Sequence, residues 1–289
     1  MGSVEANQGV FEVSEKGNGD PVILVHGSAG DHRTWHHQLE ALGRHYRTIA
    51  YSRRYHWPNE PISEGGEYSL DQHVQDLLSV LEELNATPAH LVGHSYGGVV
   101  CLAAAMRMPQ LFRSLVLEEP PVLSLFVSVP PRPAEVLASA FVRPRTTAGI
   151  LRLGALGLGP ATKAAQSRDL DGMIRLSGRA ILGAEAFEAL SEERVRQVRD
   201  NAIPEEFLSG SFLPRMNPED VSKLQLPVLL VGGSRSPFVF DCLLTELARL
   251  LPRAKRVRVE DASHIAHEDN PTGFDEEVLL FFESQRTQS

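Results

Sequence analysis

The sequence predicts an α/β fold with a mostly parallel, doubly wound sheet and a helical segment inserted late in the chain. Three observations support this prediction. Short apolar runs alternate with stretches of helical periodicity, which is typical of strands joined by crossover helices. A Gly-x-Ser-x-Gly motif stands between one such run and an Ala-rich stretch. Between residues 120 and 218 the strand-like runs stop, and Pro, Gly, Ala and Arg dominate instead.

Seven short runs have the apolar or alternating character of strands. One stretch between them, residues 70–84, repeats its apolar residues at helical spacing, and Asn85 to Pro88 ends it. Parallel strands present their carboxyl ends at one edge of the sheet, so we expect the functional residues there. The predicted strands are Val10–Ser14, Val22–Val25, Arg47–Tyr51, Ala89–Val92, Ser114–Glu118, Val228–Val231 and Arg256–Val259.

The Gly-x-Ser-x-Gly motif, Gly93 to Gly97, occupies a predicted strand-to-helix turn. A serine at so sharp a turn is held in a strained backbone conformation, and the positions two before and two after it must lack a side chain. Gly93 and Gly97 meet that requirement. A chance match is the alternative for so short a pattern, but the flanking strand and helix favour Ser95 as a catalytic nucleophile.

A serine hydroxyl is a poor nucleophile until a base accepts its proton. The predicted strand Arg256–Val259 leads into a polar loop that contains His264 and, three residues later, His267. We predict His264 as the base, because it closely follows a strand and comes after the serine in chain order. His267 is the competing candidate.

These features resemble the α/β-hydrolase family, and the resemblance covers nearly all of the chain apart from its variable middle. Pro21–Ala29 resembles the strand that ends in the family's His-Gly-x oxyanion loop. Leu226–Gly233 resembles the strand that re-enters the sheet after the cap, and Ala262–His264 the loop of the catalytic histidine. The resemblance implies an α/β-hydrolase fold with a helical cap after the sixth strand. It also implies an oxyanion hole made by the backbone N–H groups of Ser28 and Tyr96.

The chain departs from the family pattern at the acid. Most relatives carry an aspartate after the strand that follows the cap, where this chain has Ser236. A neutral hydroxyl cannot stabilise the imidazolium that forms during attack. Part of the family, including the haloalkane dehalogenases, places the acid after the preceding strand, where this chain has Glu118 and Glu119. Successive strand residues point to opposite faces, so only one of them can face the histidine. Glu119 is the prediction and Glu118 the fallback.

Four further residues are predicted, less directly, to bind substrate. His26 and Gly27 belong to the presumed oxyanion loop, and His94 precedes the nucleophile. Arg53 follows a predicted strand, and its guanidinium has the geometry to grip a substrate carboxylate. Salt bridges that brace the surrounding loop are the alternative role for Arg53.

The predicted activity is hydrolysis of a small to medium, mainly apolar carboxylic ester or lactone through an acyl-enzyme on Ser95. Dehalogenases and epoxide hydrolases of the family attack with an aspartate, so a serine points away from them. Three alternatives remain open: a C–C bond hydrolase, a cofactor-free perhydrolase or haloperoxidase, and a small-ligand receptor built on a hydrolase fold. The serine at position 236 keeps the receptor alternative open.

Composition predicts one enzyme domain with an insertion, namely a core of residues 1–121 and 219–289 and a helical cap of residues 122–218. A length of 289 residues with 42% hydrophobic content suffices for one large core. The net charge of −9 opposes nucleic-acid binding, and no apolar run is long enough to span a bilayer. We expect a small-molecule substrate, no cofactor, no metal and no membrane partner, and a monomer or homodimer. Two cysteines give no disulfide framework and residues 1–8 lack a signal pattern, so a cytoplasmic location is expected.

Overall fold

The computed structural model describes residues 2–128 and 131–286. Residues 1, 129, 130 and 287–289 of the predicted domains lie outside the described residues. In the described part of the chain, eight strands form one sheet. In chain order they are β1 (Gly2–Ala6), β2 (Gly9–Lys16), β3 (Pro21–Val25), β4 (Arg47–Tyr51), β5 (Ala89–His94), β6 (Phe112–Glu118), β7 (Val228–Gly233) and β8 (Ala254–Val259).

The strands lie side by side in the order β1-β2-β4-β3-β5-β6-β7-β8. The sheet is antiparallel only where β1 pairs with β2 and β2 with β4. All other neighbouring strands are parallel.

The α-helices are α1 (His36–Leu42), α2 (Leu70–Glu83), α3 (Tyr96–Arg107), α4 (Pro133–Val142), α5 (Pro144–Leu153), α6 (Gly159–Gln166), α7 (Leu170–Leu182), α8 (Ala184–Glu188), α9 (Glu192–Asp200), α10 (Glu205–Leu208), α11 (Pro218–Ser222), α12 (Phe238–Leu250), α13 (Ala266–Asp269) and α14 (Pro271–Arg286).

The central strands bury both of their faces. In β3, Ile23 belongs to one large apolar cluster, and its neighbour Leu24 belongs to a second cluster that contains Trp35 and Phe274. Side chains of a strand alternate between faces, so the two clusters lie on opposite sides of the sheet. This arrangement explains why β3 appears in the sequence as a continuous apolar run rather than an alternating one.

The fold class predicted from the sequence is confirmed, and each of the seven predicted strands is present. Helix α2 begins where the periodicity predicted, and the Ser69 hydroxyl caps it by accepting a hydrogen bond from the Gln72 N–H at 3.3 Å. Strand β1 was missed. Its sequence, GSVEA, is short and mostly exposed, and it is held at the sheet edge by pairing with β2, which local sequence does not reveal.

Helices α4 to α10 all lie between β6 and β7, in the region predicted as a cap. We call residues 122–218 the cap segment; its boundaries stay a prediction. The segment has a small apolar cluster of its own, built on Ala161, Ala164 and Met173. Other cap residues, such as Ile203, join the large cluster on the sheet, so the segment packs against the core. Among the described residues, no helix combines the length and apolar character needed to cross a membrane.

Candidate active site

Ser95 stands at the turn between β5 and α3 with a backbone φ of 49° and ψ of −121°. This left-handed conformation is strained for a residue with a side chain. The chain crosses itself closely here: a Cβ on Gly93 would lie 2.7 Å from the Gly97 carbonyl oxygen, and one on Gly97 would lie 2.2 Å from that of Val25. Only glycine fits at both positions, which explains the spacing of the motif. The side chain of Ser95 is thereby presented to a cavity at the carboxyl edge of the sheet.

His264 and Glu119 form a buried pair beside this serine. The Nδ1 atom of His264 lies 2.7 Å from Oε2 of Glu119, and both side chains are at most 2% exposed. The other carboxylate oxygen of Glu119 accepts a hydrogen bond from the Gly233 N–H at 2.9 Å. Among the described residues nothing hydrogen-bonds Nε2 of His264, which also lines the cavity with Ser95. The ring therefore has one nitrogen fixed by a carboxylate and one available for proton transfer.

Glu118 faces a different histidine. Its Oε2 lies 2.8 Å from Nδ1 of His267, and its Oε1 accepts from the His267 backbone N–H at 3.1 Å. Burial lowers the pKa of His267, but the charge and hydrogen bond of Glu118 outweigh it, so the pKa ends above its ordinary value. The Trp35 ring packs on His267 with 4.2 Å between centroids. Glu118 and His267 thus form a second carboxylate–imidazole pair, enclosed in the core.

His94 lies between the two pairs. Its Nε2 donates to the His264 carbonyl oxygen at 3.0 Å, which holds the backbone of the histidine loop. Burial, followed by the electrostatic interactions with His267 and His264, keeps the pKa of His94 well below its usual value, so the ring is neutral.

A metal is one possible occupant of this cluster, because ligand atoms of His94, Glu118 and His267 all lie within 4.8 Å of one another. However, both oxygens of Glu118 already accept hydrogen bonds from His267. Nε2 of His94 likewise donates to a carbonyl. These contacts explain the cluster as a hydrogen-bonded support, and we assign it no metal.

The presumed oxyanion loop approaches the serine closely. A Cβ on Gly27 would lie 3.0 Å from Cβ of Ser95 and 2.7 Å from Nδ1 of His94, so this position requires glycine. Ser28 and Tyr96 both line the cavity. Tyr96 is the first residue of α3, so its N–H has no acceptor within the helix and is free for a ligand. The two predicted donors are therefore at the same cavity as the serine.

Arg53 and His26 lie behind this loop and do not line the cavity. Nε of Arg53 donates to the His26 carbonyl at 3.0 Å, and Nη2 donates to the Gly27 carbonyl at 3.1 Å. The Arg53 backbone N–H donates to Nε2 of His26 at 2.8 Å. Arg53 is 1% exposed. These contacts favour the alternative role, bracing the loop, over the predicted grip on a substrate carboxylate. Of the four predicted substrate-binding residues, only His94 lines the cavity.

The position that usually carries the family's acid is occupied by Ser236, a half-buried serine. The hydroxyl of Ser236, just beyond β7, has no hydrogen-bond partner among the described residues. The carboxylate beside His264 comes instead from Glu119 at the end of β6. Glu119 is itself in a left-handed conformation with φ of 43°, and its N–H donates to the Val231 carbonyl at 3.1 Å. That turn at the strand end is what aims the Glu119 side chain at His264.

The cavity above Ser95 has a volume of about 150 Å³ and is enclosed largely by the cap segment. Its walls are mainly apolar. Two charged cap residues also line it, Arg194 on α9 and Glu206 on α10. Apolar side chains that the cap contributes include Leu153, Leu158, Met173, Ile174, Ile181, Leu182, Phe187, Leu190, Val198, Ile203, Phe207 and Phe212.

Sequence reasoning missed Glu206, and it considered His267 only as a competing base and not as the partner of Glu118. Glu206 lies in the cap, where neither a strand end nor a motif marks it, so no local signal was available. For His267 there was a signal. Two adjacent glutamates end one strand, and two histidines three residues apart follow another. Side-chain alternation in Glu118 and Glu119 requires two different partners, and His264 and His267 supply them.

Comparisons with known proteins identify the family and the fold. Residues 20–271 match the family model of the alpha/beta hydrolase fold. The chain is 24% identical to an sn-1-specific diacylglycerol lipase of Danio rerio, over 93% of this chain and 80% of the relative. The enol-lactonase of Burkholderia xenovorans LB400 superposes with a TM-score of 0.74 at 20% identity, covering 98% and 100% of the two chains. A thermophilic esterase of Thermogutta terrifontis superposes at 0.72 with 20% identity, covering 98% of each. The chain therefore belongs to the α/β-hydrolase fold family and is an enzyme.

Proposed function

We propose that the protein hydrolyses small to medium, mainly apolar carboxylic esters or lactones, with Ser95 as nucleophile, His264 as base and Glu119 as acid. One observation carries this proposal: His264 is bonded to Glu119 through Nδ1, keeps an unbonded Nε2, and lines the same cavity as Ser95. A carboxylate on Nδ1 fixes the tautomer in which Nε2 can accept a proton.

In the proposed reaction, Ser95 Oγ attacks the carbonyl carbon while His264 Nε2 takes its proton. The N–H groups of Ser28 and Tyr96 hold the negative charge that develops on the carbonyl oxygen. Each such donor lowers an acyl-transfer barrier by about 3 kcal/mol. His264 then protonates the leaving alcohol, water deprotonated by the same ring attacks the acyl-enzyme, and the acid and Ser95 are released.

The lining and the volume of the cavity support the proposed substrate class. The apolar lining favours an acyl or alkyl group over a charged one, since an unpaired charge is costly to bury there. An enclosed volume of about 150 Å³ suits a chain of a few carbons better than a long one. The names of the enol-lactonase and the esterase among the similar structures agree with this class of chemistry.

The proposal is tested by steady-state hydrolysis of aryl esters from acetate to octanoate and of a γ-lactone series. We expect multiple turnovers by the wild type and a loss of at least about a thousandfold in kcat/KM for Ser95→Ala. A folded wild type that is acylated once without release would instead support the receptor alternative. A folded Ser95→Ala variant with full activity would overturn the assignment of the nucleophile.

A further inference from the structure

Glu206 differs from the other polar residues of the cavity in its bonding. Arg194 donates to Glu268 at 2.8 Å and to the Ala29 carbonyl at 3.1 Å. The Tyr96 hydroxyl donates to the Phe212 carbonyl at 3.1 Å, and Ser177 donates to the Met173 carbonyl at 2.7 Å. The polar groups of Arg194, Tyr96 and Ser177 are therefore engaged with the protein itself. This leaves Glu206 as the strongest acceptor on the cap side of the cavity.

Glu206 is 5% exposed and comes from α10 of the cap. Its Oε1 accepts a hydrogen bond from the Tyr68 hydroxyl at 2.6 Å. The Ser28 hydroxyl and, at a longer distance, the Arg53 guanidinium also stabilise the carboxylate. A carboxylate has about four acceptor sites on its two oxygens, so these contacts leave capacity for one further donor.

Two contacts connect Glu206 with the site of reaction. Nη2 of Arg53, whose guanidinium also bonds the Gly27 carbonyl, lies 3.8 Å from Oε1. The Ser28 hydroxyl is close enough to help stabilise the carboxylate by hydrogen bonding. Ser28 is one of the two proposed oxyanion-hole residues, so Glu206 lies beside the position of the reacting carbonyl and not at the far end of the cavity.

The charges around Glu206 select the kind of group it can bind. The buried Arg53 guanidinium already balances the carboxylate, so an added cation would leave a net charge in an apolar site. Burial, followed by the Arg53 charge, holds the pKa of the nearby His56 well below its usual value, so that ring adds no charge. A neutral donor gains a bond to an ionised acceptor without adding charge.

We propose that Glu206 determines substrate specificity by accepting a hydrogen bond from a neutral hydroxyl or amide N–H that lies one or two carbons from the scissile carbonyl. The inference rests on the proposed function and refines its substrate class. The acyl or lactone portion is then apolar except for one donor next to the carbonyl, such as a 3-hydroxyacyl ester or a 2-acylamino lactone.

Matched substrates test this inference in the wild-type enzyme. One pair is an aryl 3-hydroxyhexanoate and the aryl hexanoate; the other is 2-acetamido-γ-butyrolactone and 2-propyl-γ-butyrolactone. We expect kcat/KM to favour the donor-bearing member about tenfold to a hundredfold in at least one pair, the value of a hydrogen bond to a charged group. Which pair responds tells a hydroxyl from an amide donor. A preference below twofold in both pairs would overturn the proposal.

Variants of Glu206 separate binding from loop support. We expect the preference to fall to about one in Glu206→Met and to be intermediate in Glu206→Gln, which keeps an uncharged acceptor. If both variants lower kcat/KM equally for both members of each pair, Glu206 only supports the loop, and the specificity role is wrong. Should Glu206→Met fail to fold, the preference for the donor-bearing substrate is compared between the wild type and Glu206→Gln, and a smaller preference in Glu206→Gln still supports the specificity role.

A binding measurement keeps the inference separate from the proposed reaction. Calorimetry with Ser95→Ala and the paired amides 3-hydroxyhexanamide and hexanamide should give at least a tenfold lower Kd for the hydroxylated amide. That result would uphold the Glu206 subsite even if the wild type hydrolysed no ester. Equal Kd values alongside active ester hydrolysis would overturn the subsite and leave the proposed function intact.

Discussion

Two adjacent glutamates at the end of β6 form the same kind of pair with two histidines, yet the two pairs lie in different surroundings. Oε2 of Glu119 lies 2.7 Å from Nδ1 of His264, and His264 lines the cavity. Oε2 of Glu118 lies 2.8 Å from Nδ1 of His267, and His267 is fully buried against Trp35. A carboxylate–imidazole pair is therefore not by itself a catalytic feature.

The difference comes from the turn at the end of β6 and from solvent access. Glu118 is the last residue of β6 and Glu119 follows it in a turn with φ of 43°, so the two side chains reach different partners. His264 lines a cavity and keeps one nitrogen unbonded, whereas His267 lies inside the core, where Glu118 raises its pKa. We infer that the Glu119–His264 pair takes part in the reaction and that the Glu118–His267 pair stabilises the core. The following predictions test this difference.

The largest expected effect is on activity, in Glu119→Gln. The amide cannot stabilise the imidazolium and can favour the wrong tautomer, so kcat should fall by about 10³ to 10⁴. Ester hydrolysis checks this, with circular dichroism confirming the fold. The matched control is Glu118→Gln, which should keep kcat within about tenfold. Equal losses of kcat in the two variants would remove the distinction between the pairs.

The second prediction concerns the contribution of the Glu118–His267 pair to the stability of the fold. Glu118→Gln removes the carboxylate that raises the pKa of the buried His267 ring, which should cost about 1 to 3 kcal/mol of unfolding free energy. Glu119→Gln should cost less, because His264 faces a cavity. Urea denaturation of both variants beside the wild type measures the difference. A smaller loss for Glu118→Gln than for Glu119→Gln would reverse the comparison.

The third prediction concerns pH. The pKa of His267 is raised above 6.5 in the folded state, so the folded protein binds more protons there than the unfolded chain. The resulting stabilisation is complete below pH 6.5 and is lost as pH rises through the raised pKa. Burial raises the pKa of Asp275 to about 6, so that carboxyl titrates mostly below pH 6.5. Urea denaturation between pH 6.5 and 9 should show this decline.

The control for the pH dependence is His267→Asn, which removes the titrating ring. We expect its unfolding free energy to change less with pH over the same range. A wild-type stability that stays level from pH 6.5 to 9, or a variant with the same slope as the wild type, would argue against a charged His267.

The smallest effect is expected at Ser236. Its hydroxyl is buried and has no partner among the described residues, so Ser236→Ala should change kcat/KM less than about twofold and stability by under about 1 kcal/mol. A loss of kcat/KM comparable with that of Glu119→Gln would mean that Ser236 contributes to orienting His264, and the acid would have to be reconsidered.

Much of the fold was predictable because the signals are local. The apolar runs of β3 and β5 and the spacing of α2 follow directly from burial of neighbouring residues. Strand β1 was not predictable, because it is a polar edge strand that exists only through its pairing with β2. For the site, Ser95 and His264 carry local marks, whereas Glu206 carries none and reaches the cavity only through the packing of the cap.

The sequence by itself determined the strand-to-helix turn at Ser95, because the glycines around Ser95 are required by contacts within a few residues and with one neighbouring strand. It also narrowed the acid to Glu118 or Glu119. Only the tertiary structure shows that Glu119, and not Glu118, contacts His264, since the partner histidines lie 145 or more positions away along the chain. It decided, too, that Arg53 points behind the oxyanion loop and Glu206 into the cavity. Side-chain direction depends on how distant segments pack, and that packing has no local trace in the sequence.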